Sequence, residues 1–170
     1  DPNQAKDWFA YAELLLAEGE EGFANEAVDK CLALDRQFGE AWALKAQLLA
    51  QHYGQERQAL KAATHAVALN AGGVDAIFLK SELLELEGSH VTAEETLLKA
   101  LEMNPTNGEL RARIANKYLL LHKVEDAETI LQSTPQGIDH PLLHAIEGRL
   151  HLAYADRKRD GSGQTDEHLL

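Results

Sequence analysis

Four short stretches of this chain superimpose at a fixed interval. Trp8-x-x-Tyr11-Ala12-x-x-Leu15 returns as Trp42-x-x-Lys45-Ala46-x-x-Leu49, as Ile77-x-x-Lys80-Ser81-x-x-Leu84 and as Arg111-x-x-Ile114-Ala115-x-x-Tyr118, in steps of 34, 35 and 34 residues. A second series keeps the same beat: Ala24, Ala59, Ala93 and Ala127 each follow the head of their stretch by 16 or 17 residues. Spacings of three and four residues place each set on one face of a helix. A period of this length means stacked helical hairpins, each burying its apolar face against the next, rather than one closed globule. Stacked units present extended concave surfaces, which suit the binding of other polypeptides better than chemistry.

Each unit reads as two antiparallel helices. The first pair covers 5–18 and 23–34 with Gly19 between them, and the second covers 39–52 and 55–69 with Gly54 in the turn, where the additional residue of that period sits. The third begins with 74–87, Gly88 ends that helix, and Thr92-x-x-Glu95 offers a capping box near the next start. Pro105 stops its second helix, since proline lacks the amide hydrogen and clashes with the preceding turn. The fourth has a first helix at 108–121 and a short second one from Val124 to before Pro135. The units are therefore 5–38, 39–73, 74–107 and 108–134. Asp139-His140-Pro141 then predicts an aspartate-capped helix over 139–157 that covers the last unit's apolar edge. Residues 158–170 are polar and glycine-rich and read as a flexible tail. Pro2 falls in register with Arg36, Ala71 and Pro105, so the opening residues read as the end of a preceding unit or linker, and the chain as a segment of a longer protein.

An array of this length is expected to act as one cooperative body. With 28 acidic against 16 basic residues, the formal net charge is -12, which argues against nucleic acid or an anionic membrane as the partner. Cys31 is the only cysteine, so internal disulfides and thiolate metal clusters are excluded. The chain contains no run of 18 apolar residues, so no membrane insertion is expected within this segment. It reads as a soluble segment, in the bacterial cytoplasm or periplasm if an upstream signal or anchor was removed.

The pattern resembles the tetratricopeptide repeat, which has an aromatic, apolar, small and large residue on the first helix, then two alanines around a large residue and a terminal proline on the second. Ala93, Leu97, Ala100 and Pro105 fill the second-helix slots of the third unit, and Ala24, Val28 and Cys31 those of the first, with Arg36 in place of proline. Ala59, Ala63 and Ala66 serve the second unit, and Ala127, Leu131 and Thr134 the fourth. Lys45, Lys80 and Arg111 depart from the pattern, occupying apolar or aromatic slots from which their stems can snorkel. The resemblance implies an all-α, right-handed solenoid of about four repeats plus a C-terminal capping helix.

In that family the first helices line the groove. Their residues not used for packing are Phe9, Glu13 and Leu16; Ala43, Gln47 and Ala50; Phe78, Glu82 and Glu85; and Ala112, Arg113, Asn116 and Leu119. The lysine/asparagine/arginine clamp with which some members hold a free carboxylate is missing, because phenylalanine and glutamate stand in its first-repeat slots. An apolar strip at Phe9 and Phe78, bordered by Glu13, Glu82 and Glu85, would hold an apolar segment with basic flanks; the structural alternative is that both rings pack against neighbouring helices. The expected role is a non-enzymatic scaffold for a partner polypeptide, without cofactor. The alternative is a client-holding chaperone or assembly factor, since 125–156 loosely resembles the repeat tails of thioredoxin-fused holdases, without their Cys-x-x-Cys, or the repeat module of cytochrome c maturation factors. Self-association through exposed array ends also follows from the architecture.

Other candidates are thinner. His144, Glu147 and His151 share a helix face, with His140 one turn earlier, as candidate metal ligands, although dedicated zinc sites use tighter spacing and a fourth ligand. Cys31 sits in a packed small-residue slot, as an inert core thiol would. Asp166-Glu167-His168-Leu169-Leu170 resembles an acidic dileucine tail. No phosphate loop, nucleophile elbow or paired-carboxylate pocket is recognisable.

Overall fold

The computed structural model describes residues 2–52 and 54–163, with side chains for 4–52 and 54–156. The described residues are all-helical, and the chain divides into two compact units, residues 1–98 and 99–170. In the first unit, α1 (Pro2–Ala17) and α2 (Glu21–Leu34) form a hairpin, as do α3 (Gly39–Ala50) and α4 (Glu56–Ala68), followed by α5 (Gly73–Leu86). Helix α6 (His90–Met103) runs across the division. The second unit continues with α7 (Gly108–Leu120), α8 (Val124–Gln132) and α9 (Pro141–Gly163).

The repeated alanines account for the packing. Ala12, Ala46, Ser81 and Ala115 on first helices, and Ala24, Ala59, Ala93 and Ala127 on second helices, are all 0% exposed. A small side chain at a crossing lets two helices approach closely, so the larger neighbours interlock on either side. In the first unit Leu15, Val28, Cys31, Leu44 and Leu48 form one cluster across α1, α2 and α3. Leu49, Ala62, Ala63 and Leu83 form a second across α3, α4 and α5. In the second unit Leu110, Ile114, Ile130 and Leu131 are buried, and α9 packs on α7 and α8 with Leu143, Ile146 and Leu150 turned inward. Each fully buried leucine or isoleucine contributes about 2 kcal/mol of transfer free energy.

The turns repeat as regularly as the helices. Three residues join α1 to α2, α5 to α6 and α7 to α8, whereas five, 51–55, join α3 to α4; the longer second period resides there. Gly19 ends α1 at φ 82°, donating to Leu16 O at 3.0 Å while Glu20 donates to Leu15 O at 2.9 Å. This paired closure satisfies two carbonyls that the helix end would leave open. Gly88 and Ser89 repeat it, with bonds to Glu85 O and Leu84 O. At the equivalent place after α7 the residue is His122, held at φ 59°.

Both later helix starts, and the last helix end, differ from the sequence reading. Helix α6 begins at His90, with Ala93 N donating to Ser89 O, so Thr92 lies inside the first turn rather than at its cap, and its carbonyl accepts from Thr96 Oγ1. Helix α9 begins at Pro141 behind His140, whose Nδ1 accepts from Leu142 N at 3.3 Å, because the Asp139 carboxylate is engaged by His144 instead. It also extends to Gly163, past Arg157, and the dileucine-like residues 166–170 lie outside the described residues.

Arg111 departs from expectation in its side chain. It does not snorkel: the residue is 3% exposed, and its guanidinium donates to Ile130 O (2.7 Å), Ser133 Oγ (2.8 Å) and Pro105 O (3.2 Å). A planar fork of donors in an aromatic-sized slot closes the C-terminal turn of α8. Lys45, by contrast, reaches out to pair with Asp29.

Candidate functional site

The groove residues named from register separate sharply by exposure. Phe78 is 7% exposed and Ala43 is also buried, so neither offers a surface to a partner. Phe9 is half-buried against the first-unit core, its ring 5.1 Å from that of Phe38. The two phenylalanines are packing residues, because each first helix must fill the space beside its neighbour before it can present anything outward. Leu16 and Ala50 are likewise half-buried.

Among the groove positions named from register, those that α1, α3 and α5 leave exposed are polar, although Tyr11 and Leu14 of α1 are exposed elsewhere on that helix. Glu13, Gln47 and Glu82 are exposed, and they occupy one register position, 34 and 35 residues apart. Glu85, one turn after Glu82, is half-buried and already engaged. Leu86, the last residue of α5, adds an exposed apolar side chain that the sequence reading did not single out. Its position at the helix end, beyond the last repeated apolar slot, was the available signal.

In the second unit the corresponding residues are committed internally. Arg113 pairs with Glu109 at 3.5 Å, Ala112 is buried, and Leu119 is half-buried. Asn116 Oδ1 accepts from Arg149 Nη1 of α9.

The histidine face of α9 does not form a metal site. His144 Nε2 lies 2.8 Å from Asp139 Oδ1, and its Nδ1 lies 3.4 Å from Glu147 Oε2. The two carboxylates sit at opposite nitrogens of one ring, so they cannot converge on a single ion, and His151 belongs to no such group among the described residues. Hydrogen bonds to Asp139, then Glu147, raise the imidazole above its ordinary pKa. Sequence spacing found Glu147 but missed Asp139, which lies in the turn before the helix. Cys31 is fully buried; desolvation, then the charge of Asp35, pushes its thiol up and away from nucleophilic chemistry.

Residues 84–150 match the family model described as tetratricopeptide repeat. The chain carries the tetratricopeptide-repeat fold. Its all-α helical solenoid is shared with solved structures: a thermophilic protein of this repeat class from Thermus thermophilus aligns with TM-score 0.64 and 18% identity, over 91% of this chain and 84% of that one. The crystal structure of MamA aligns with TM-score 0.60 and 21% identity, over 79% of this chain and 78% of that one. YrrB, described as a protein of these repeats with an unusual peptide-binding site, aligns with TM-score 0.57 and 18% identity, over 89% and 76%. No curated protein sequence matches. The tetratricopeptide resemblance of the sequence thus holds for the fold, and among the described residues no helix is long and apolar enough to cross a membrane.

Proposed function

We propose that this chain is a non-enzymatic binding module, and that the first-helix face of its first unit receives an extended polypeptide carrying basic residues. The observation that carries this reading is the exposed series Glu13, Gln47 and Glu82, one per first helix at a single register position. The other groove positions named from register on these helices, Phe9, Leu16, Ala43, Ala50, Phe78 and Glu85, are buried or half-buried, so Glu13, Gln47 and Glu82 are what that register face offers a partner. Helices α3 and α5 touch directly. Packed helices lie about 10 Å apart, and an extended peptide advances about 3.3 Å per residue. A partner crossing this face therefore meets a new helix roughly every third residue. Lysine or arginine complements Glu13 and Glu82, with a neutral hydrogen-bonding residue opposite Gln47. That YrrB is described with a peptide-binding site supports the class of ligand.

This replaces the apolar strip with a polar one, and the partner's basic residues become the specificity elements rather than flanks. A peptide library displayed on phage, selected on the wild-type chain and on a Glu13→Lys/Glu82→Lys variant, tests the reading. The wild type should enrich peptides with basic residues spaced by several positions, and the variant should lose them. Selection of the same peptides by both proteins would contradict it. Enrichment of apolar sequences without charge, together with suppression of client aggregation, would instead favour the client-holding role.

A further inference from the structure

We propose that the first-helix face of the first unit reads its partner in two rows, and that the second row seats one large apolar side chain on Leu86, fixing which end of the polypeptide lies on α5. This rests on the reading above that a basic polypeptide crosses that face. Four residues after Glu13, Gln47 and Glu82 stand Ala17, Gln51 and Leu86, again 34 and 35 residues apart. Residues four apart on a helix lie one above the other on a single face. Ala17 and Leu86 are the last residues of α1 and α5, and Gln51 follows α3 with its backbone still helical. All three are exposed, Leu86 by 73%. Helices α1 and α3 share a core cluster and α3 touches α5, so the two rows run side by side across the unit.

The exposure belongs to the repeat position rather than to one loose helix end. The amide of Gly88 donates to Glu85 O at 2.9 Å and that of Ser89 to Leu84 O at 2.8 Å, which closes α5 just beyond Leu86. Leu83 and Leu84 supply the apolar burial of this helix end, leaving Leu86 outside. In the second unit, taken by itself, the same register position is Leu120 of α7, and it is 64% exposed. Leu14, also exposed near the end of α1, is not part of the row. It falls in register with Leu48 and Leu83, both buried, and so belongs to the packing direction.

The two rows select different things. The first has a glutamate at each end, so charge complementarity alone lets a partner with two basic residues lie either way round. The second row is graded: Ala17 offers one methyl, Gln51 a carboxamide, and Leu86 a branched apolar group. An extended chain sends successive side chains to opposite sides. Where it crosses α5, one side chain reaches Glu82 and its neighbour reaches Leu86, about 6 Å further along the helix. The occupant is therefore a polypeptide in which a leucine, isoleucine or phenylalanine adjoins one basic residue. A small or polar residue adjoins the second basic residue, about six positions away, where the chain crosses α1.

Two synthetic peptides test this by fluorescence anisotropy: both carry two arginines at that spacing in a serine-glycine background, and one adds a leucine beside one arginine. Wild type should bind the leucine peptide about tenfold more tightly, the gain from half-covering one leucine with another. Leu86→Ala should bind the two peptides equally. A nitroxide on the leucine end should broaden amide resonances of α5 in the wild type and of α1 in an Ala17→Leu/Leu86→Ala double variant. Circular dichroism verifies that these exposed-site variants keep their helix content. Equal binding of both peptides by the wild type, a leucine gain that Leu86→Ala retains, or a label that broadens α1 and α5 alike overturns the second row and leaves the charged row standing. Failure of both peptides to bind, or equal binding of them by Glu13→Lys/Glu82→Lys and wild type, overturns the charged row and this inference with it.

Discussion

Replacing Arg111 separates what its charge contributes from what its volume contributes. Among the described residues the guanidinium is buried without a carboxylate partner, and its Nε has no hydrogen-bond partner. Burial alone pulls its pKa below the ordinary value. The side chain stays charged, so it carries an unreturned desolvation cost of several kcal/mol in order of magnitude. Against that stand three donated bonds, each worth about 1.5–3 kcal/mol when the donor is charged. One acceptor, Ile130 O, also accepts from Ser133 Oγ at 2.9 Å, and another, Pro105 O, belongs to an exposed residue that water reaches. Neither carbonyl is stranded when the arginine is removed. Charge and bonds therefore offset each other, and the decisive loss is the filled slot between α7 and α8. Arg111→Ala should destabilise the second unit by about 3 kcal/mol through the cavity, whereas Arg111→Met, which keeps the stem volume, should cost about 1 kcal/mol. Trp8 and Trp42 both lie in the first unit and report on it, so hydrogen exchange of the α7 and α8 amides is the suitable assay. Equal loss of protection in the two variants would refute the reasoning, because hydrogen bonding rather than packing would then dominate.

Gly39→Ala should lower stability by about 2 kcal/mol, since a Cβ there would lie 2.4 Å from Ala71 Cβ and 3.1 Å from Leu69 Cβ; Trp42 fluorescence during urea unfolding reads the shift. His144 has a raised folded pKa through Asp139 and Glu147, so its contribution is full below the unfolded imidazole pKa and is lost as pH rises through the folded value. Wild type should accordingly exceed His144→Gln in stability near pH ~5.5, and the two should converge near pH ~8.5. A constant difference across that range would contradict the assignment. Cys31 should resist a thiol reagent in the native chain and react fully in denaturant, because its sulfur is buried and its thiolate disfavoured; fast native labelling would show that α2 opens readily.

The fold was legible because close helix crossings require small residues, and the eight positions in the two repeating series marked those crossings. Helix stops at Gly19 and Gly88 were legible for a similar reason, as glycine adopts the left-handed turn without a Cβ penalty. His122 was not, because a histidine at that place carries no such signature until φ is seen. Arg111 read as a surface stem, since sequence alone does not show that three acceptors converge on it. The groove was legible only as a set of positions. Register placed Phe9, Glu13 and Phe78 on the same helix face, but which of them remain outside depends on how far the neighbouring helices approach. That distance is set by packing between segments some 30 residues apart, which also left Asp139 invisible as the partner of His144.

The central claim is that a polypeptide lies across the first-helix face of the first unit. Backbone chemical-shift mapping by NMR, titrating the isotope-labelled chain with a peptide selected on it, tests this most directly. Binding there predicts shifts concentrated around Glu13, Gln47 and Glu82 on α1, α3 and α5, with α2 and α4 little changed. Shifts centred on α2 and α4, or around Tyr11 and Leu34, would place the working surface elsewhere.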